Sequence, residues 1–148
     1  MEEVVRQALQ ESQKVLSEFL QAPESVNQIV RAGKILSQCF EKQGRAFACG
    51  NGGSMSDAMH FAEELSGRFR KDRRALPAQA ISDPGHLSCV ANDFGWEHVF
   101  SRYLEAHARA GDVLVAISTS GKSPNVLRAA QYARDHQISV ITDRKSVV

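Results

Sequence analysis

Cys49-Gly50-Asn51-Gly52-Gly53-Ser54 leads into a helix-like run carrying His60 and Glu64, and this succession of residue types points to chemistry on an anion. Glycines admit positive φ and let backbone N–H groups come close to a phosphate. A helix N-terminus after the turn adds partial positive charge and unpaired donors. The Asn51 amide suits a sugar hydroxyl or the closing of the turn itself. The run completes neither the G-K-[ST] phosphate loop nor the G-x-G-x-x-G dinucleotide fingerprint. A tight strand-to-helix turn that binds nothing is its plain structural reading. Along the following helix Asp57, His60 and Glu64 stand at i, i+3 and i+7 and share a face. One turn apart, His60 and Glu64 have the spacing of a metal-ligand pair or an acid/base pair. The same spacing also describes a surface pair worth little to stability.

A second signal follows the apolar run Val113-Leu114-Val115-Ala116-Ile117. Ser118-Thr119-Ser120-Gly121-Lys122-Ser123 offers hydroxyls and a helix start within six residues. Such a cluster can cradle one phosphate, or it can simply cap the helix, with Ser123 as N-cap before Pro124. Asn92-Asp93 reads as a turn between two helical segments, or as a contact to a sugar hydroxyl. Arg68 to Arg74 is a charge cluster that reads as a solvated loop, or else as a phosphate or partner contact. His86, His98, His107 and His136 have no metal-site spacing and read as surface or helix histidines.

The elements that must position these residues follow from periodicity. Val5, Leu9, Leu16 and Phe19 predict a helix from about Glu3 to Leu20, and a second runs from near Glu24 to before Gly44. The two could form a cap or an oligomer interface. Short strands are expected at Ala46–Cys49, Ala78–Ile81, Val113–Ile117 and Ser139–Thr142. Helices are expected from Ser54 (as N-cap, with Asp57 in the first turn), around Gly85–Ala91, over Gly95–Ala110 and over Asn125–His136. Strands alternating with helices predict a parallel α/β sheet, whose strand ends share one ligand-binding edge.

Composition narrows the classes. A chain of 148 residues is about one domain. Its 18 basic and 17 acidic residues give a net charge of +1, against a general nucleic-acid binder. No apolar run reaches membrane-span length, and Met1-Glu2-Glu3 does not read as a signal peptide. Cys39, Cys49 and Cys89 form no C-x-x-C pair and read as free thiols packed in a reducing cytoplasm.

Three separated stretches, CGNGGSMSDAMHFAEELSGRF, ISD followed by HLSCVANDFG, and GDVLVAISTSGKSPNV, together resemble the bacterial phosphoheptose isomerases of the sugar isomerase (SIS) domain group. The resemblance extends from the N-terminal helices to about Thr142. It implies a single SIS domain over 1–148: helices over 1–44, a flavodoxin-like parallel α/β core over 45–142, and a tail over 143–148. That tail, a short basic run where the family continues into α/β structure, is expected to be non-native.

The resemblance also implies a cytoplasmic homotetramer. It would interconvert sedoheptulose 7-phosphate and the manno-heptose 7-phosphate through an enediol, for lipopolysaccharide or related glycans. By position, Asn51, Gly52, Gly53, Asn92 and Asp93 would contact substrate. Ser118, Thr119, Ser120 and Ser123 would hold the phosphate. His60 and Glu64 would bind zinc, with Glu64 also the catalytic base, two roles that compete. In the family a further strand and helix supply a glutamine and a histidine as the remaining zinc ligands, so residues 1–148 alone are expected to be inactive. The alternative is a non-catalytic SIS-domain protein that binds a replication-initiation or regulatory partner, or senses sugar phosphates. The presence of Glu64 with His60 favours the enzyme.

Overall fold

The computed structural model describes residues 1–143, in two compact units, Met1–Lys34 and the chain from Ile35 onward. The first unit contains α1 (Glu2–Gln21) and the start of α2 (Ser25–Glu41). Within it, α1 buries no residue, and Val5, Leu9, Leu16 and Phe19 are all exposed.

The second unit is an α/β sandwich. Its strands are β1 (Ala46–Cys49), β2 (Ala78–Ala80), β3 (Val113–Ile117) and β4 (Ser139–Asp143). They form one parallel sheet in the order β2-β1-β3-β4. Because the strands are parallel, their carboxyl ends lie on one edge. The order reverses between β1 and β3, which marks the crevice outside those two strands as the place for a ligand. The flavodoxin-like parallel sheet expected from the sequence is therefore the one found.

The alternation of the central strands explains how the layers assemble. Phe47 and Cys49 of β1 and Leu114 and Ala116 of β3 point to one face. There they pack with Leu87 and Val90 of α4 (Pro84–Phe94), Phe100 and Leu104 of α5 (Val99–His107) and Val126, Ala129 and Ala133 of α6 (Pro124–Asp135). Ala48, Val113, Val115 and Ile117 point to the other face. They meet Ala58 and Phe61 of α3 (Gly53–Ser66) and Ile35, Leu36 and Cys39 of α2. The small residues Ala48 and Ala58 let α3 lie close on β1. At the amino edge, the buried Asp112 carboxylate pins the two central strands together. It accepts the Arg45 backbone N–H at 2.8 Å and the Arg109 backbone N–H at 2.9 Å, and meets the Arg45 guanidinium at 3.4 Å.

Several sequence-based expectations are corrected. Ser54 is not the N-cap of α3: Gly52 takes that place, and Ser54 is a buried residue inside the helix. Asp57 accordingly lies beyond the first turn. Asn92 and Asp93 do not form an interhelical turn. They belong to α4, which continues to Phe94 and stops only at Gly95, whose N–H reaches the Ala91 carbonyl at 3.2 Å. His86, read as a surface or helix histidine, is on α4, half-buried, with its Nε2 2.8 Å from the Val99 carbonyl and its ring edge-on to Tyr103. The helix expected over Gly95–Ala110 divides into a 3-10 turn at Trp96–His98 and α5. Cys39 and Cys49 are packed, whereas Cys89 is exposed. Asp143 closes β4, paired with Ile117. The rest of the expected tail, 144–148, lies outside the described residues.

Candidate active site

Two strand–turn–helix units meet at the β1/β3 switch point. In the first, β1 ends at Cys49, and the chain must turn at once into α3. A Cβ on Gly50 would lie 2.6 Å from the Ser54 carbonyl oxygen and 2.7 Å from the Ser54 Cβ, so only glycine allows α3 to start this close. Gly52 has φ 55 and ψ −122, a conformation that a side chain resists. The turn is closed by the Ser54 N–H to the Asn51 carbonyl and the Met55 N–H to the Gly52 carbonyl, both at 3.0 Å. Gly53 opens the helix, with open space where its Cβ would be.

The second turn is built from hydroxyls. Ser118 is buried and its backbone N–H is held by the Asp143 carbonyl at 3.0 Å, which ties the turn to the end of β4. Its Oγ accepts the Gly121 N–H at 3.2 Å and lies 3.3 Å from the Ser123 Oγ. The Ser120 Oγ accepts the Lys122 N–H at 3.1 Å. Ser123 is the N-cap of α6, as its place before Pro124 predicts, but its hydroxyl turns to Ser118 rather than to the helix. Thr119 and Ser120 are exposed.

A reciprocal pair of side-chain amides joins the two turns. Asn51 Nδ2 donates to Asn125 Oδ1 at 2.9 Å, and Asn125 Nδ2 donates to Asn51 Oδ1 at 2.8 Å. Asn125 also accepts the Val126 N–H at 3.0 Å and is almost fully buried. Beside it, Trp96, Glu97, Pro124, Asn125 and Arg128 line an open cleft of about 330 Å³.

On α3, His60 Nε2 and Glu64 Oε1 are 3.2 Å apart. The His60 side chain is 69% exposed and that of Glu64 36%, so both face solvent with donor atoms close together. An imidazole nitrogen and a carboxylate oxygen at this separation suit zinc. Among the described residues no third histidine, cysteine, aspartate or glutamate joins them, so they amount to half of a four-ligand set.

Asn92 and Asp93 stand in the last turn of α4, exposed, with Asn92 Nδ2 donating to Asp93 Oδ1 at 2.8 Å and the Cys89 thiol 3.6 Å from Asp93 Oδ2. No hydrogen bond among the described residues ties them to either turn. Their link to the site is through the chain: Trp96 and Glu97, just after them, line the cleft at the start of α6.

Sequence reasoning missed two residues. Arg73, assigned to a solvated loop, folds back onto α3 and donates to the carbonyls of Glu64, Leu65, Gly67 and Arg74. It thereby satisfies the open C-terminal carbonyls of the helix at the turn that carries Glu64. A basic residue shortly after a helix end is a weak signal for this role. Asn125 stands in the sequence only as the start of the helix over Asn125–His136. Its signal was the pairing of an Asn in each strand–turn–helix unit.

The thiol of Cys49, immediately before the glycine turn, is pushed up to about 12 by burial. It serves as packing, not as a nucleophile.

The SIS-domain family model matches residues 9–142. The phosphoheptose isomerase of Klebsiella pneumoniae is 52% identical over 141 residues, covering 95% of this chain and 73% of that protein. That of Cytophaga hutchinsonii is 50% identical over 141 residues, covering 95% and 74%. The solved structure of the phosphoheptose isomerase from Neisseria gonorrhoeae superposes with a TM-score of 0.87 at 40% identity, over 95% of this chain and 73% of that one. The chain belongs to the phosphoheptose isomerases of the SIS-domain family.

Proposed function

We propose that the protein is a sugar-phosphate isomerase that interconverts sedoheptulose 7-phosphate and D-glycero-D-manno-heptose 7-phosphate in heptose synthesis, feeding lipopolysaccharide or a related glycan. The observation that carries this reading is the meeting of the two turns at the β1/β3 switch point, with an imidazole and a carboxylate on the helix that one turn begins. The turn of Ser118, Thr119, Ser120 and Ser123 takes the phosphate, aided by the N-terminus of α6. Asn51, Gly52 and Gly53 hold the sugar end, and Asn92 and Asp93 add hydroxyl contacts from the last turn of α4. Phosphate held at one turn fixes the reacting carbons at the other, so remote binding energy serves the chemical step.

Glu64 is the base. It takes a proton from C1 of the ketose while the C2 oxygen gains one, giving an enediol. Returning a proton to C2 as the C1 hydroxyl loses its own gives the aldose. Arg73 keeps the Glu64 turn of α3 in place during this transfer. His60 and Glu64 are the chain's donors for a zinc ion, which when bound would polarise the substrate oxygens.

The reading includes a single SIS domain, with 1–44 as its helical lead before the α/β core, in a homotetramer. The exposed apolar stripe of Val5, Leu9, Leu16 and Phe19 supports assembly. Three free thiols suit a cytoplasmic setting.

Kinetics on the full gene product test the reading. Glu64→Gln is expected to lower kcat for sedoheptulose 7-phosphate by about 10²–10⁴-fold with an unchanged melting temperature. Wild-type turnover that survives in Glu64→Gln would assign the base elsewhere, and absence of wild-type turnover would turn the reading towards a binding module.

A further inference from the structure

The central strands β1 and β3 are tied at both ends by buried polar side chains, and the two ties differ in kind. At the amino edge Asp112 receives two backbone N–H groups, which fixes the strands and touches no proposed ligand residue. At the carboxyl edge the tie is the amide pair of Asn51 and Asn125, 74 residues apart in sequence.

Each partner has a distinct environment. Asn125 is 1% exposed, and its Oδ1 accepts twice, from Asn51 and from the Val126 N–H. Asn51 is half-buried, on the turn between Gly50 and Gly52. A carboxamide offers two N–H donors and two acceptor sites. The reciprocal pair uses one of each from Asn51, leaving one N–H and one lone pair for a ligand. The pair therefore does not consume the Asn51 amide; it orients it.

We propose that Asn125 is a positioning residue: it holds the Asn51 amide in one orientation and fixes the spacing between the glycine turn after β1 and the hydroxyl turn after β3. Among the described residues no other side-chain hydrogen bond joins the two turns. With this tie, a ligand spanning sugar and phosphate meets both turns already in register, and binding does not have to order them.

The kinetic part of the test rests on the isomerase reading, and the exchange part does not. The first measurement is hydrogen exchange of the Ser54 and Met55 amides, which close the glycine turn. Asn125→Ala is expected to speed their exchange about 10-fold or more, the equivalent of losing one or two buried hydrogen bonds. Asp112→Asn is the control: it lowers the melting temperature without changing exchange at these two amides. In turnover of sedoheptulose 7-phosphate, Asn125→Ala and Asn51→Ala should each raise KM about 10-fold, with kcat within about 3-fold.

The double variant should be no worse than the poorer single one, because both substitutions remove the same interaction. Asn125→Asp keeps the acceptor for Asn51 Nδ2 and for the Val126 N–H, so it should recover part of the lost protection and serves if the alanine variant does not fold. Unchanged exchange at Ser54 and Met55, or additive losses in the double variant, would overturn the proposal. A wild-type full gene product without turnover would instead remove the isomerase reading and leave the exchange result to decide the tie.

Discussion

The turns after β1 and after β3 share one grammar, strand then turn then helix, and lie on adjacent strands at the same edge, yet they are made by different means. The first is a backbone device. Gly50 removes the side chain that would strike Ser54, Gly52 takes the dihedral that side chains resist, and the groups proposed for the chemistry, His60 and Glu64, are displaced onto the helix face. The second is a side-chain device. Ser118 and Ser123 bond to each other, Ser118 and Ser120 accept from the turn's own backbone, and the surface proposed for the phosphate is the loop itself. A turn built on backbone geometry fails when any atom is added to it. A turn built on hydroxyls should fail gradually, one donor at a time.

The sharpest way to break that contrast is Gly50→Ala. The new methyl would lie 2.6–2.7 Å from Ser54 backbone and Cβ atoms, none of them the free end of a flexible chain. Relief requires α3 to move off β1, where Ala48 and Ala58 now meet. Thermal or urea unfolding should report a loss of about 3 kcal/mol, and isomerase activity should disappear because His60 and Glu64 travel with α3. A variant with wild-type stability and activity would show that the turn has slack the geometry denies.

Ser118→Ala probes the other device and should be milder. It removes the acceptor of the Gly121 N–H and the Ser123 contact but creates no clash. KM should rise about 10-fold with little change in kcat, and stability should fall by about 1 kcal/mol. Steady-state kinetics beside a melting curve would separate the two effects. A collapse as complete as that of Gly50→Ala would erase the distinction between the turns.

The same contrast governs how much could be read from the sequence. β1 and β3 were legible because short apolar runs between polar turns suit strands buried on both faces. The glycine turn was legible as a turn, but Ser54 was misplaced as its cap, because which residue starts the helix depends on Gly52 dihedrals that composition does not encode. Asn92 and Asp93 differ from expectation for a related reason: their turn chemistry is local, whereas α4 continues to Phe94 and stops at Gly95. Asn125 and Arg73 are only weakly legible. The Asn51–Asn125 tie joins positions 74 residues apart. In a run of six charged residues and a phenylalanine, nothing marks Arg73 as the one that folds back onto α3.

The smallest effect concerns the residue on which the backbone device stands. Cys49 ends β1 with its thiol held neutral by burial up to about 12, against an ordinary value of 9.0. Because the folded value is the higher one, the folded protein keeps this proton at pH values where the unfolded chain has lost it. Stability from this group is therefore complete below about pH 9 and declines as pH rises towards 12. The expected slope is at most one proton, about 1.4 kcal/mol per pH unit. Cys39 is raised too, by burial and then by the Asp112 charge, so it contributes in the same direction. Urea unfolding of the wild type and Cys49→Ala at pH 8, 9 and 10 isolates the Cys49 share. The wild type should lose stability more steeply above pH 9, and the two slopes should agree below it. At pH 8 a thiol reagent should label Cys89 quickly and Cys49 only on unfolding. Rapid labelling of Cys49 in the folded protein would mean that α3 lifts from β1, and the glycine turn would then be the more mobile of the two.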